Sequence, residues 1–144
     1  MKLTIELVPR STWKRNLRSI LPKDHWDMIR HKTYRNANYR CEICNGVGAK
    51  WPVECHEIWE YDDQNKIQFL TRCVALCPNC HQVKHIGRSI ATGNGENAIN
   101  HLCRINNIDE STAKNYIAEQ FAKHAERSLH EWEIDITWAK GELK

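Results

Sequence analysis

Apolar positions along this chain change period several times, and each change marks an element. Leu3, Ile5 and Leu7 alternate with Thr4 and Glu6, predicting a short strand that stops at Pro9. Pro22 suits the first turn of a helix, and Trp26, Ile29, Thr33 and Tyr34 carry helical spacing to about Asn36. Asn36-Ala37-Asn38 then breaks the pattern. Pro52 to Tyr61 and Ile67 to Leu76 are rich in strand formers and flank the turn residues Asp62-Asp63-Gln64-Asn65, predicting a hairpin. A helix is expected from Pro78 to about Gly87. Further helices are expected through Ala98, Ile99, Leu102 and Ile105, opened near Asn94, and through Tyr116, Ile117, Phe121 and Ala125, capped by Asp109 or Ser111. Trp132, Ile134, Ile136 and Trp138 alternate strictly with polar residues and predict a final strand, with the N-terminal strand as its possible partner.

These elements describe an α+β protein, and the 144 residues show no repeat or low-complexity segment. We read one domain, 1–144, in three parts: a basic strand and helix region over 1–40, a middle part over 41–88, and a helical extension over 89–144 that ends in a strand. A 41% hydrophobic content with six Trp points to a folded chain, and a mean hydropathy of −0.68 speaks against a membrane protein. The first residues lack the apolar stretch of a secretory signal, so a cytoplasmic location is expected.

Charge sharpens this outline. Net charge is +3, yet residues 1–40 hold ten Lys/Arg against three acidic groups, a balance of +7. Residues 41–88 balance at −1 and residues 89–144 at −3. The cationic stretch includes Arg35 and Arg40 and lies directly before the first cysteine pair, where it would attract a phosphate backbone.

Seven cysteines, an odd number, suit a reducing compartment and metal ligation better than a disulfide framework. Cys41-Glu42-Ile43-Cys44 and Cys77-Pro78-Asn79-Cys80 are two C-x-x-C knuckles, 32 residues apart, able to set four thiolates around a structural zinc. Cys55, Cys73 and Cys103 lack such partners and read as small buried residues. His81 and His85 stand one helical turn apart behind the second knuckle, and His56 lies on the strand expected to pack against that helix. Three imidazoles leave coordination positions open for water and a phosphate oxygen, although any of them could instead join the zinc site or contact phosphate. Trp51, Trp59 and Tyr61 read as core or hairpin packing, not as base-stacking groups.

The run Cys41-x-x-Cys44, Val53-Glu54-Cys55-His56-Glu57-Ile58, and Ala75-Leu76-Cys77-Pro78-Asn79-Cys80-His81-Gln82-Val83-Lys84-His85 resembles the HNH endonucleases, or ββα-metal nucleases, over about a third of the chain. The resemblance implies a zinc-stabilised ββα core with flanking helices and terminal strands, which hydrolyses DNA phosphodiester bonds. It implies a catalytic divalent ion such as Mg2+, Mn2+, Ni2+ or Zn2+, held by His56, His81 and His85. The family's general-base position falls on Glu57; shifting the register by one makes His56 the base and brings Cys55 or Glu54 near the metal. The family's orienting Asn is replaced by Arg72, whose guanidinium suits a phosphate clamp. Lys84 is placed to approach the backbone, or else to stand in solvent. The expected partner is double-stranded DNA, and a protein partner or homo-oligomer is compatible with the helical extension. Because the base and Asn positions are atypical, a zinc-containing nucleic-acid-binding module without cleavage is the alternative expectation.

Overall fold

The computed structural model describes every residue, 1–144. It is a mixed α+β structure of seven α-helices and one three-stranded sheet. The centre is an antiparallel hairpin, β1 (Glu54–Asp62) and β2 (Ile67–Leu76), paired from Glu54 opposite Leu76 to Asp62 opposite Ile67. A bulge between Ile58 and Trp59 interrupts the ladder. The turn closes as Asn65 N donates to Asp62 Oδ1 at 3.0 Å, with Lys66 left-handed at φ 56°.

Alternation along the hairpin sends side chains to two cores. On one face Val74 and Leu76 pack with Leu3, Ile5, Val83, Ile86, Leu102 and Ile117. Those partners come from the N-terminal segment, α3 (Pro78–Lys84), α4 (Ile86–Ala91), α5 (Gly95–Asn106) and α6 (Glu110–Arg127). On the other face Trp59, Leu70 and Cys73 pack with Leu17 of α1 (Leu17–Ile20), Ile29 of α2 (Lys23–Asn36) and Ala139 of α7 (Thr137–Glu142). The hairpin is thus covered by helices on both faces.

Both terminal strands depart from the sequence expectation. Residues 3–7 do bury Leu3 and Ile5, but the backbone joins no sheet. Its amides are satisfied by side chains and a helix end: Leu3 N donates to Asn106 Oδ1 at 2.9 Å, Ile5 N to Tyr116 Oη at 3.0 Å and Glu6 N to Lys84 O at 2.9 Å. At the other end only Glu133–Asp135 forms a strand, β3, parallel to Ile67–Phe69 of β2. Trp138 lies in α7, because Asp135 Oδ1 accepts from Thr137 N at 2.8 Å and turns the chain into a helix. The helix after the second knuckle stops at Lys84, and Gly87 lies inside α4, with His85 at the junction (φ −100°, ψ 50°). Asp109 caps α6, accepting from Thr112 N at 2.7 Å.

No helix is long and apolar enough to cross a membrane.

Candidate functional site

The two knuckles meet beside the C-terminal end of β2. In the first, Asn45 takes a left-handed turn (φ 62°), Cys41 N donates to Gly46 O at 2.9 Å, and Gly46 N reaches Cys44 Sγ at 3.4 Å. The second is the first turn of α3, where Pro78 is pre-set for the helix and Cys77 Sγ accepts from Cys80 N at 3.4 Å. Glu42 fastens the first knuckle to the sheet: its N donates to Ala75 O at 2.9 Å and its Oε2 accepts from Ala75 N at 2.7 Å. Gly48 allows the loop to close, since a Cβ there would stand 2.2 Å from Trp51 O and 2.7 Å from Pro78 Cδ.

The four sulfurs, of Cys41, Cys44, Cys77 and Cys80, lie within 4.8 Å of one another, with Cys44 and Cys77 at 3.6 Å. Tetrahedral Zn–S bonds require sulfurs about 3.8 Å apart. The cluster can therefore hold a metal such as zinc. The charge balance agrees: the hydrogen bond from Cys80 draws the Cys41 thiol down to about 4, while that same bond and burial push Cys80 up. Burial, chiefly, raises Cys77 to about 11. Four crowded sulfurs cannot all ionise unaided, and a divalent cation removes that obstacle.

A histidine from outside the two knuckles adjoins this cluster. His101 of α5, buried, brings Nε2 to 3.2 Å from Cys80 Sγ, and its Nδ1 lies 3.0 Å from Arg104 Nη2. A guanidinium only donates, so Nδ1 accepts and Nε2 carries the proton, which points at the Cys80 sulfur. The available signal was a histidine in the apolar stripe of α5, between Ala98 and Leu102.

About the N-terminal half of β1 and the length of α3, three histidines converge. Ligand atoms of His56, His81 and His85 all lie within 4.8 Å of one another. His81 and His85 present their Nε2 atoms 3.1 Å apart, close to the about 3.3 Å expected between two imidazole nitrogens on a tetrahedral zinc. Glu54 Oε1 lies 3.0 Å from His81 Nδ1, so that nitrogen carries the proton and Nε2 keeps its lone pair. Glu6 Oε2 lies 2.9 Å from His56 Nε2 and fixes that ring in the same way, leaving Nδ1 as the acceptor. Burial, reinforced by the nearby His56, holds His81 below the ordinary histidine range. His85 keeps an exposed face, yet desolvation of its ring among the neighbouring groups, and then His56 and His81, push it down to about 3. Both imidazoles therefore stay neutral, the form that binds a metal.

Strand alternation separates the candidate bases. Glu54 and His56 share a face of β1, whereas Cys55 and Glu57 point to the opposite core. There Glu57 Oε1 accepts from Leu17 N at 2.8 Å, capping α1, and burial raises its carboxyl. Glu57 and Cys55 thus point away from the three histidines, whereas Glu54 lies beside His81.

The expected phosphate contacts also divide. Lys84 is only 4% exposed; its Nζ donates to Thr4 Oγ1 at 2.8 Å and lies 3.5 Å from Glu6, so it is a buried support for Glu6, not a surface cation. Arg72 is exposed and pairs with Glu42 at 2.7 Å, bracing the first knuckle. Arg40 Nη1 donates to Asn45 O at 3.1 Å, and Arg35 is exposed near the end of α2. Trp59 is buried, as a packing residue should be, and Tyr61 carries the Arg127 guanidinium 4.0 Å over its ring. Trp51 departs from its expected packing role: it is exposed, with Nε1 donating to Glu54 Oε2 at 3.0 Å. Glu6 had no local signal, since it reaches His56 across 50 residues of chain.

Comparison with known protein families, curated proteins and solved structures finds no match.

Proposed function

We propose that this chain is a metal-dependent, HNH-like endonuclease that hydrolyses phosphodiester bonds, with β1, β2 and α3 as its ββα-metal core. The observation that carries the reading is the set of three convergent imidazoles, two of them oriented by carboxylates, next to a four-cysteine cluster to which the same helix contributes Cys80 and its N-cap Cys77. His81 and His85 would hold the divalent ion through their Nε2 atoms, with Glu54 as the carboxylate behind His81. A divalent ion there supplies Lewis-acid stabilisation of charge on the phosphate and the leaving oxygen.

His56 is assigned as the general base. Glu6 accepts from His56 Nε2, so Nδ1 is left to take a proton from the attacking water. As the water oxygen bonds to phosphorus, the scissile P–O bond breaks and solvent protonates the leaving oxygen. Glu6 then stabilises the imidazolium, an orienting role that the family resemblance would have given to the position of Arg72. His56 is buried, so the Glu6 contact also excludes other orientations of its ring. The four cysteines hold the first turn of α3, and with it His81, at a fixed position against β1.

The test is nicking of supercoiled plasmid with Mg2+, Mn2+, Ni2+ or Zn2+. Wild-type protein is expected to nick, and H56A to be slower by about 10²–10⁴-fold, the usual contribution of a general base. H85A should lose nicking together with binding of the second metal. Absence of nicking with every metal, or an H56A variant as fast as wild type, overturns the assignment.

A further inference from the structure

We propose that the groove leading to His81 binds an unpaired, single-stranded stretch of polynucleotide, with bases stacked on Trp51 and Tyr39 and phosphates held by Arg18 and Arg30. This rests on the nuclease reading for its site and narrows that reading's substrate. The groove has a volume of about 980 Å³ and runs between α1 and α2 on one side and the loop entering β1 on the other, ending at Glu54 and His81.

Two large aromatic side chains stand open in it: Trp51 is 51% exposed and Tyr39 50%. Neither position is accidental in backbone or hydrogen bonding. Asn38 and Tyr39 both take left-handed conformations, at φ 53° and 58°, a costly state for an aromatic residue. It is held by backbone hydrogen bonds that Asn38 N donates to Arg35 O at 3.0 Å and Tyr39 N to Tyr34 O at 3.0 Å. Trp51 is fixed by Glu54, the same carboxylate that orients His81. One carboxyl group thus couples an exposed aromatic plane to the candidate metal ligand, so a base resting on Trp51 sets the adjacent phosphate beside His81, where the groove ends.

The charge of the groove matches a phosphate chain. Arg18, Lys23 and Arg30 line it, against the carboxylates of Asp27 and Glu54. Lys23 and Arg30 share Asp27, at 2.8 and 2.9 Å, while Arg18 makes no ion pair. Aromatic planes interleaved with cations are the means by which proteins bind single strands without reading sequence. In a duplex, base faces are already stacked on one another, so Trp51 and Tyr39 would have nothing to receive.

The experiment measures binding by the full zinc-loaded chain, with no second metal added, to fluorescent oligo-dT, oligo-rU and a blunt duplex of equal length. Anisotropy is expected to give at least about tenfold tighter binding to dT or rU than to the duplex, with quenching of tryptophan fluorescence. The two single strands distinguish DNA from RNA as the source of the same chemistry. Y39A/W51A should lose that preference, Y39F/W51F should keep it, and R18Q/R30Q should weaken binding and flatten its salt dependence. Zinc content and the thermal transition of each variant check folding. A duplex bound as tightly as the single strands, no binding of either single strand, or a folded Y39A/W51A with undiminished preference overturns the groove. Cleavage is read separately: single-strand binding through Trp51 and Tyr39, with neither plasmid nor the same single strands cut when a divalent metal is added, would refute the nuclease and keep the groove, and cleavage with an indifferent Y39A/W51A would do the reverse.

Discussion

Replacing His101 by Leu isolates one contact of the cysteine cluster. His101 Nε2 lies 3.2 Å from Cys80 Sγ, and Arg104 at 3.0 Å holds the ring in the tautomer that donates. With zinc bound, all four sulfurs are thiolates and the site carries two net negative charges, so this N–H donates to an ionised acceptor. A hydrogen bond to a charged group contributes about 1.5–3 kcal/mol, because the alternative is a buried anion without its donor. Leu matches the site's apolar surroundings and preserves helix propensity, so little else changes. Zinc affinity should therefore fall by about 10–150-fold. The assay is chelator competition on the zinc-loaded protein, paired with Co2+ titration, in which thiolate-to-metal charge-transfer bands report this cluster and not the histidines. R104A should give a smaller loss, since the imidazole remains but its tautomer is freed. An H101L protein that holds Co2+ and Zn2+ within about twofold of wild type refutes the argument; a loss of stability equally large in metal-free C41S/C80S protein would assign His101 to packing alone.

Other expectations follow from the same geometry. Burial raises Glu57 above its ordinary 4.5, so the folded protein binds the extra proton and stability is lost as pH rises through the interval between the two values. E57Q keeps an acceptor for Leu17 N, should remove that slope in pH-dependent melting, and should leave nicking unchanged; a folded E57Q without nicking would restore Glu57 as the base. His81 and His85 are displaced downward, so the unfolded chain protonates first. Without a second metal, stability should fall as pH drops from 6.5 towards the His85 value of about 3, and H85A should flatten that decline in urea titrations. Lys84→Met leaves Glu6 without its buried cation and should cost about 2–4 kcal/mol in urea unfolding, yet leave the salt dependence of polynucleotide binding unaltered. A K84M protein with a reduced salt slope would make Lys84 a phosphate contact after all.

Much of the site follows from local periodicity and needs no tertiary information. Cys77 and Cys80 meet because they span the first turn of α3, and His81 and His85 because they are four residues apart at the end of the same helix. The alternation of β1 likewise separates Glu54 and His56 from Cys55 and Glu57, a consequence of period two that places the two pairs on opposite faces. Such relations are carried by backbone geometry over a few residues, so the order of residue types determines them.

The remaining contacts depend on which distant segments pack together. Glu6 meets His56, His101 meets Cys80, and Glu42 meets Ala75 across 50, 21 and 33 residues. The terminal strands illustrate the same limit: Leu3 and Ile5 alternate as a strand would, but their amides are taken by Asn106 and Tyr116, while β3 pairs with β2. Alternation records only which side chains are buried, and backbone amides accept whatever partner the packed helices bring near. By itself the sequence determined an α+β hairpin-and-helix chain with two sets of Cys and His side chains able to ligate a metal; tertiary packing decided which carboxylates orient the histidines, which cations are buried and which aromatic planes stay open, because those outcomes depend on contacts between segments that no local period encodes.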